Sequence, residues 1–484
     1  MRALQLLALS LLLASLGAIS IIFKIVIRDP DVWWHLKVGD WIVQHHAVPH
    51  VGIFSRTAGT RPWIAYSWAY EVLLSRAYAW FGLMGIAVFG VVLTVAVAAI
   101  FFWMVHRLSG NFWTAWIVSA VGCLAFLYSL MPRPVFFSML FFAVTLTFIF
   151  EAERTCRIQL LYALPLVFLV WANFHIQFIY GLAVLGLFTG MNLLHYLANG
   201  EAKAPAVLRR PTLPPAKLTG LFAACALAAC IGPYSYHVYQ VVFTYSQSRA
   251  AYFLIEELQA PNFKYFTDYF LLLLTTAGFF VLGWRKDVNL FKLALLSIAS
   301  IAAFRTSRDA FFVSICAAAC IADFFATKQD ENWEAKLKLR EVAGVGMVIV
   351  LLLLLVARNT DFTVRELDRS ISQEYPVDAV NFLRRNPVPG PLYNHLNWGG
   401  FLTWYMPNQP VSIDGRNDLY GDEFDVRSFQ TANGESYDAD PDLNAARLVL
   451  LPKAAPLAAI LSNDPKYQLI YEDQLSVVLV RRRP

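Results

Sequence analysis

The chain has 484 residues, 58% of them hydrophobic and only 15% charged, with a mean hydropathy of +0.51. A soluble chain carries about a quarter charged residues, whereas here apolar stretches of about 20 residues, enough to cross a bilayer's hydrocarbon, recur as far as Ala357. A soluble globular protein is therefore excluded, and the net charge of +5, scattered through loops instead of gathered on one stripe, excludes a nucleic-acid footprint.

The predicted spans, in chain order, are 4–27, 83–105, 112–131, 135–151, 159–173, 177–197, 218–238, 269–284, 289–304, 310–327 and 342–357. The first is too long for a signal-peptide core and shows no small-residue cleavage site before Arg28, so it reads as an uncleaved span. Orientation follows from the basic residues of short loops. With the N-terminus inside, the inner loops carry Arg107, Arg154 with Arg157, Arg209 with Arg210, Arg285 with Lys286, and Lys336 to Arg340. The expectation is an integral plasma (inner) membrane protein, multi-pass, with a cytoplasmic N-terminus and an extracytoplasmic C-terminal domain. In fold class it is an all-α polytopic membrane bundle of about 11 transmembrane helices, residues 1–358 with a long first outer loop at 28–82, followed by a soluble α/β domain at 359–484.

That first outer loop holds Asp29, Asp31, His35, Asp40, His45, His46 and His50 among many tryptophans. Within it Trp33–His46 and Tyr66–Phe81 have the spacing of amphipathic helices, expected to lie in the interface plane with Trp and Leu towards lipid. Asp29 and Asp31 stand at the mouth of a span, where charge is expensive, although Asp29 also suits a cap for the helix that follows. The polar, proline-containing stretch Asn199–Lys217 is a connector. Cys316 and Cys320, one helical turn apart, read as small packing residues, since no His or third Cys stands near them. In the tail, short apolar runs at 391–393, 410–413, 447–451, 468–471 and 475–480 alternate with helical patterns at 377–385, 401–405 and 454–461. Such alternation predicts a mainly parallel sheet closed by a hairpin turning at Glu472–Gln474. Neither a GxGxxG nor a Walker sequence occurs, so a nucleoside triphosphate is not the energy source.

An N-terminal span, a long outer loop with an acidic pair, a Gly39-Asp40-Trp41 step, a Pro-containing turn and a second helix reading RPW…W…E together resemble the GT-C superfamily of membrane glycosyltransferases. That group includes protein O-mannosyltransferases, aminoarabinose transferases of lipid A and oligosaccharyltransferase catalytic subunits. The resemblance covers the whole architecture, and its residue motifs are short. It implies a sugar transferred from a polyprenyl-phosphate donor to an envelope acceptor. By position, Asp31, with Asp29, matches the family's catalytic acidic residue. The resemblance also allows a divalent metal, Mg or Mn, on Asp29 and Asp31, since some members use one and others none. The tail segment NHLNWGGFLTWYMPNQPVSIDGRNDLYG loosely resembles the oligosaccharyltransferase C-terminal domain, whose Trp-Trp-Asp motif reads the acceptor peptide. Here Trp398-Gly399-Gly400 stands instead, with no Asp, so recognition of a peptide acceptor is not supported.

Polar residues on the first loop's side of the bundle are functional candidates, Asn173 and Asp309 among them, and those expected to bind substrate are Arg133, His175, Glu256 and Glu257, and Arg305 with Arg308. Of these binding candidates all but Arg133 have a plainer reading. The two arginines of FRTSRD can merely flank a span, His175 can be a packing histidine, and Glu256–Glu257 can be a solvated loop face. Arg416 in IDGRNDLYG follows a run expected to be a strand and is a further binding candidate, with an internal salt bridge to Asp414 as its alternative. The expected partners are a lipid-linked sugar donor, membrane lipid and an envelope acceptor. In the expected chemistry a carboxylate such as Asp31 accepts the acceptor's proton and an arginine holds the departing phosphate. Two other readings stand: a transporter or flippase of a lipid-linked substrate, against which the lack of an inverted repeat weighs, and an inactive GT-C-like scaffold.

Overall fold

The structure, a computed structural model, describes residues 2–127, 131, 133–201, 203, 205–248, 253, 255–285, 288–326 and 339–482. Each of the eleven apolar stretches contains a helix. Among the described residues six helices are long and apolar enough to cross a membrane: Arg2–Phe23, Trp68–Ser109, Val135–Thr155, Phe178–Asn199, Phe266–Trp284 and Leu339–Asn359. The chain is a multi-pass integral membrane protein. Two of the apolar patterns are interrupted by the backbone. The first stops at Phe23 because Lys24 adopts φ 49° in the left-handed region. The stretch 218–238 is helical only over Pro215–Ala228, and turns through Gly232 and Pro233 precede a separate helix, His237–Gln247.

Contacts divide the chain into two compact units that do not follow chain order. One, the membrane unit, comprises 1–22, 90–238 and 257–360; the other comprises 23–89, 239–256 and 361–484. The first outer loop thus belongs with the tail, although the sequence alone drew its boundary at 358.

Helix Ala310–Phe324 is the core of the membrane unit. Every residue from Ala310 to Asp323 is buried, and it packs on Phe266–Trp284, Leu290–Arg305, Phe112–Ala125 and Val135–Thr155. Its Ala and Cys residues give this close approach, because in lipid helices associate by packing of small side chains. A Cβ at Gly278 would meet Leu296 at 3.0 Å and Ala317 at 3.2 Å. Cys316 and Cys320 are two of these packing residues, buried and free.

In the second unit the loop forms two helices, Asp31–His45 and the stretch from Trp68 to the kink at Gly82, whose φ of +59° no L residue adopts cheaply. The first does not turn Trp33 and Trp34 outward, whereas Trp80 on the second is exposed. Trp33 is wholly buried, its ring 5.8, 5.9 and 5.5 Å from those of Tyr375, Phe401 and Tyr405. Helix Asp31–His45 packs on helix Leu396–Tyr405, so the amphipathic stripe serves a protein core.

The tail carries strands β1 (Leu392–Asn394), β2 (Leu448–Pro452), β3 (Tyr467–Glu472) and β4 (Ser476–Arg481) in the order β1-β2-β4-β3. Only β1 and β2 are parallel; β2–β4 and β3–β4 are antiparallel, so the sheet is not mainly parallel as expected. The closing hairpin forms as expected, with Asp473 accepting from Leu475 N at 2.7 Å and Ser476 N at 2.6 Å. Residues 410–413 are no strand of this sheet. Val411 instead pairs with the first loop, Val411 N donating to Phe54 O at 3.1 Å and Arg56 N to Val411 O at 2.8 Å.

Candidate functional site

The two loop aspartates have different surroundings. Asp29 is buried, and its Oδ1 accepts from Asp31 N at 3.0 Å, so it holds the start of helix Asp31–His45. Asp31 is half-buried in the first helical turn, where the helix dipole favours an anion. Its Oδ1 accepts from Trp34 Nε1 at 3.0 Å. Gly415 comes so close that a Cβ there would collide with Asp31 Oδ1 and lie 3.1 Å from Trp34 Nε1. A Cβ at Gly400 would be 2.7 Å from Pro30 O. The glycines of WGG and DGR therefore let the tail close on the aspartate.

Behind Asp31 lies a buried polar chain. The Trp34 ring lies 3.5 Å, centroid to centroid, from that of His35, whose Nδ1 is 3.1 Å from Glu71 Oε1. Glu71 is wholly buried, with Ser67 Oγ donating to it at 3.1 Å. Glu71 was no candidate in the sequence, though it is the glutamate of the RPW…W…E pattern; a carboxylate on the apolar face of an amphipathic helix was the signal to follow. His45 and His46 lie on the surface instead.

Arg416 offers a ligand almost no surface. It is 1% exposed, donates to Asp414 at 2.9 and 2.7 Å, and lies 4.8 Å over the Trp63 ring. This is the internal salt bridge. Asp418 accepts from Trp63 Nε1 at 3.0 Å, and burial pushes its carboxyl up to about 6 against the pull of Trp63 and Arg416.

In the membrane unit most of the remaining candidates come together. Arg133 Nη1 donates to both oxygens of Glu257 at 2.9 and 3.1 Å, and Arg308 also pairs with Glu257. Burial raises the Glu257 carboxyl, but the charges of Arg308 and Arg133 outweigh it and hold the group at about 2. Next in the chain to Arg308, Asp309 accepts from Tyr180 OH at 2.8 Å; burial pushes it up to about 6, with Tyr180, Arg308 and Arg305 opposing. His175 Nδ1 is 2.8 Å from Ser138 Oγ, which accepts from Trp171 Nε1 at 2.8 Å. Burial and the Arg308 charge lower His175 to about 3, so it is neutral. Arg305 is exposed and ends helix Leu290–Arg305. The Glu256 side chain lies outside the described residues. Asp309, named with Arg305 and Arg308 from the sequence, belongs to this cluster, as do Tyr180 and Ser138, which were not among the sequence's candidates.

Among the described residues no group of three or more His, Cys, Asp or Glu side chains comes together to hold an ion, and one oxygen each of Asp29 and Asp31 already accepts a hydrogen bond.

No family model matches the sequence, and no curated protein matches it. Among solved structures the chain is similar to the apo oligosaccharyltransferase of Archaeoglobus fulgidus, with 12% identity and a TM-score of 0.57 over 93% of this chain and 69% of that one. Two structures of ArnT from Cupriavidus metallidurans also match over 97% of each chain. The one bound to undecaprenyl phosphate is 13% identical with a TM-score of 0.47; the apo one is 14% identical with a TM-score of 0.44. The chain has the GT-C fold: a polytopic helical bundle with a C-terminal α/β part.

Proposed function

We propose that this protein is a membrane glycosyltransferase that moves a sugar from a polyprenyl-phosphate donor to an envelope acceptor on the extracytoplasmic face. The observation that carries the reading is the Arg133–Glu257–Arg308 cluster in a chain of GT-C fold. Two arginines meet there at one carboxylate, and a guanidinium fork matches two phosphate oxygens at once. Lipid phosphate is an anion that a membrane bundle is suited to meet, because its tail can lie against the helices. Within the membrane unit, Arg133 and Arg308 bind that phosphate.

Asp31 is the general base. The acceptor hydroxyl oxygen attacks the anomeric carbon, the bond from that carbon to the phosphate oxygen breaks with its electron pair going to phosphate, and the hydroxyl proton passes to the Asp31 carboxylate. Asp29 and the Trp34 indole hold Asp31 in place. Neutral His175 is a polar contact for the sugar.

Two measurements test the reading. Mass spectrometry of envelope glycans from a deletion strain should show one sugar missing, restored by the wild-type gene. Accumulation of the intact lipid-linked intermediate on the inner leaflet would instead identify a flippase. In purified protein, Arg308→Gln should weaken donor binding by about 10–100-fold, the worth of one charge-assisted contact, and Arg308→Lys should restore only part. Unchanged donor affinity in both Arg308→Gln and Arg133→Gln would rule out this phosphate site.

A further inference from the structure

A buried carboxyl in the second unit has no part in the proposed reaction. Glu71, on the stretch from Trp68 to Gly82, is wholly buried, and burying a carboxyl is costly unless its oxygens are hydrogen-bonded. Only one of them is. Oε1 accepts from Ser67 Oγ and meets His35 Nδ1, each at 3.1 Å, whereas Oε2 is buried with no hydrogen-bond partner among the described residues. A place that needed only packing would take an apolar side chain at less cost.

The chain brings this carboxyl to His35 by local means. Glu71 N donates to Ser67 O at 3.1 Å, so the two side chains share one helical turn. On helix Asp31–His45, Gly39 follows His35 by four residues and therefore lies on the same face. A Cβ at Gly39 would collide with Glu71 O, so the glycine lets the two helices close at this point. The buried His35 ring is then held on three sides, by Glu71 at Nδ1, by the Tyr70 ring edge-on at 5.2 Å, and by the Trp34 ring at 3.5 Å. The plane of the Trp34 ring decides where its N–H points, and it points at Asp31 Oδ1, 3.0 Å away.

We propose that Glu71 and His35 are positioning residues for the transfer: Glu71 fixes the His35 ring, His35 fixes the Trp34 indole, and the indole N–H holds the Asp31 carboxylate in reach of the acceptor's proton. The inference rests on the reading of Asp31 as the general base. A misplacement of about 1 Å at such a group can lower a rate about 10²-fold.

The test uses the full-length protein labelled with fluorotryptophan, purified in neutral detergent and read by fluorine NMR. Beside it stands the initial rate at which each variant restores the missing envelope glycan in the deletion strain, normalised to protein level. The Trp34 resonance is identified by its loss in Trp34→Phe. Glu71→Leu should shift that resonance and lower the rate at least about tenfold. Glu71→Gln, whose amide oxygen still accepts from Ser67 and His35, should restore both. In a Trp34→Phe background Glu71→Leu should lower the rate by less than about twofold more, because residues that act as a unit are non-additive. Thr431→Val breaks an equally buried bond, to Asp440, in the same unit and should move neither readout. If Glu71→Leu does not fold, His35→Phe, which severs the tie to Glu71, decides by the same two readouts. An unmoved Trp34 resonance, or a loss that repeats in full in the Trp34→Phe background, overturns the inference. So does a wild-type rate in Glu71→Leu where Asp31→Asn is inactive. A wild-type rate in Asp31→Asn would instead overturn the general base, and this inference with it.

Discussion

Replacing Gly415 by alanine tests the link between the tail and the loop aspartate most directly. The new methyl carbon would overlap Asp31 Oδ1 and sit 3.1 Å from Trp34 Nε1, so the carboxylate must retreat by roughly 1 Å to reach ordinary contact. Retreat breaks the 3.0 Å bond from the Trp34 indole, a charge-assisted contact of about 1.5–3 kcal/mol. The alanine returns about 0.4–1 kcal/mol by restricting the unfolded chain. The net cost to folding is therefore about 1–2 kcal/mol, small enough for the variant to fold. The cost to catalysis is larger, because a misplacement of about 1 Å at a reacting group can cost about 10²-fold in rate. The assay is restoration of the missing envelope glycan in a deletion strain, normalised to protein level, beside thermal unfolding of purified protein. Gly190→Ala, whose added carbon meets nothing within 4 Å, is the control and should leave both unchanged. Wild-type transfer by Gly415→Ala would refute the claim that the tail fixes the Asp31 carboxylate.

Asp31→Asn keeps the shape but removes proton acceptance, and should lower turnover by about 10²–10⁴-fold without loss of folded protein; near-normal turnover would exclude this base. Asp414→Asn strands the buried Arg416 charge and should destabilise the protein by about 3–5 kcal/mol in thermal or denaturant unfolding. Glu257 has a folded value of about 2 against an ordinary 4.5. Its stabilisation, at most about 3 kcal/mol, is therefore complete above about pH 4.5 and lost as pH falls towards 2. Glu257→Gln should remove that part of the acid limb from a pH–stability profile. Gln430→Cys, on an exposed helical position in a cysteine-free background, should react with a membrane-impermeant thiol reagent in intact cells whose outer barrier admits it. Labelling only after lysis would place the tail in the cytoplasm.

What the sequence determined by itself is whatever depends on neighbours along the chain. Apolar stretches about 20 residues long dictated membrane helices, because a backbone in lipid must satisfy its own hydrogen bonds. The 3.6-residue spacing after Arg28 marked the loop helix Asp31–His45, and the Glu472–Gln474 turn marked the closing hairpin. Arg133, Glu257 and Arg308 were each legible as charges at helix ends, where burial without a partner is costly. Which of them pair was decided only by tertiary structure, since Glu257 lies 124 residues from Arg133 and 51 from Arg308. The same holds for Trp33, whose amphipathic position reads equally as facing lipid or protein; only the presence of Tyr375, Phe401 and Tyr405 makes its surroundings a core. Arg416 looked available because a sequence does not display burial, and Glu71 looked ordinary because its partner His35 stands on another helix. Periodicity records which face of a helix is apolar, whereas an ion pair or a glycine pressed against Asp31 depends on distances between segments that only the folded chain sets.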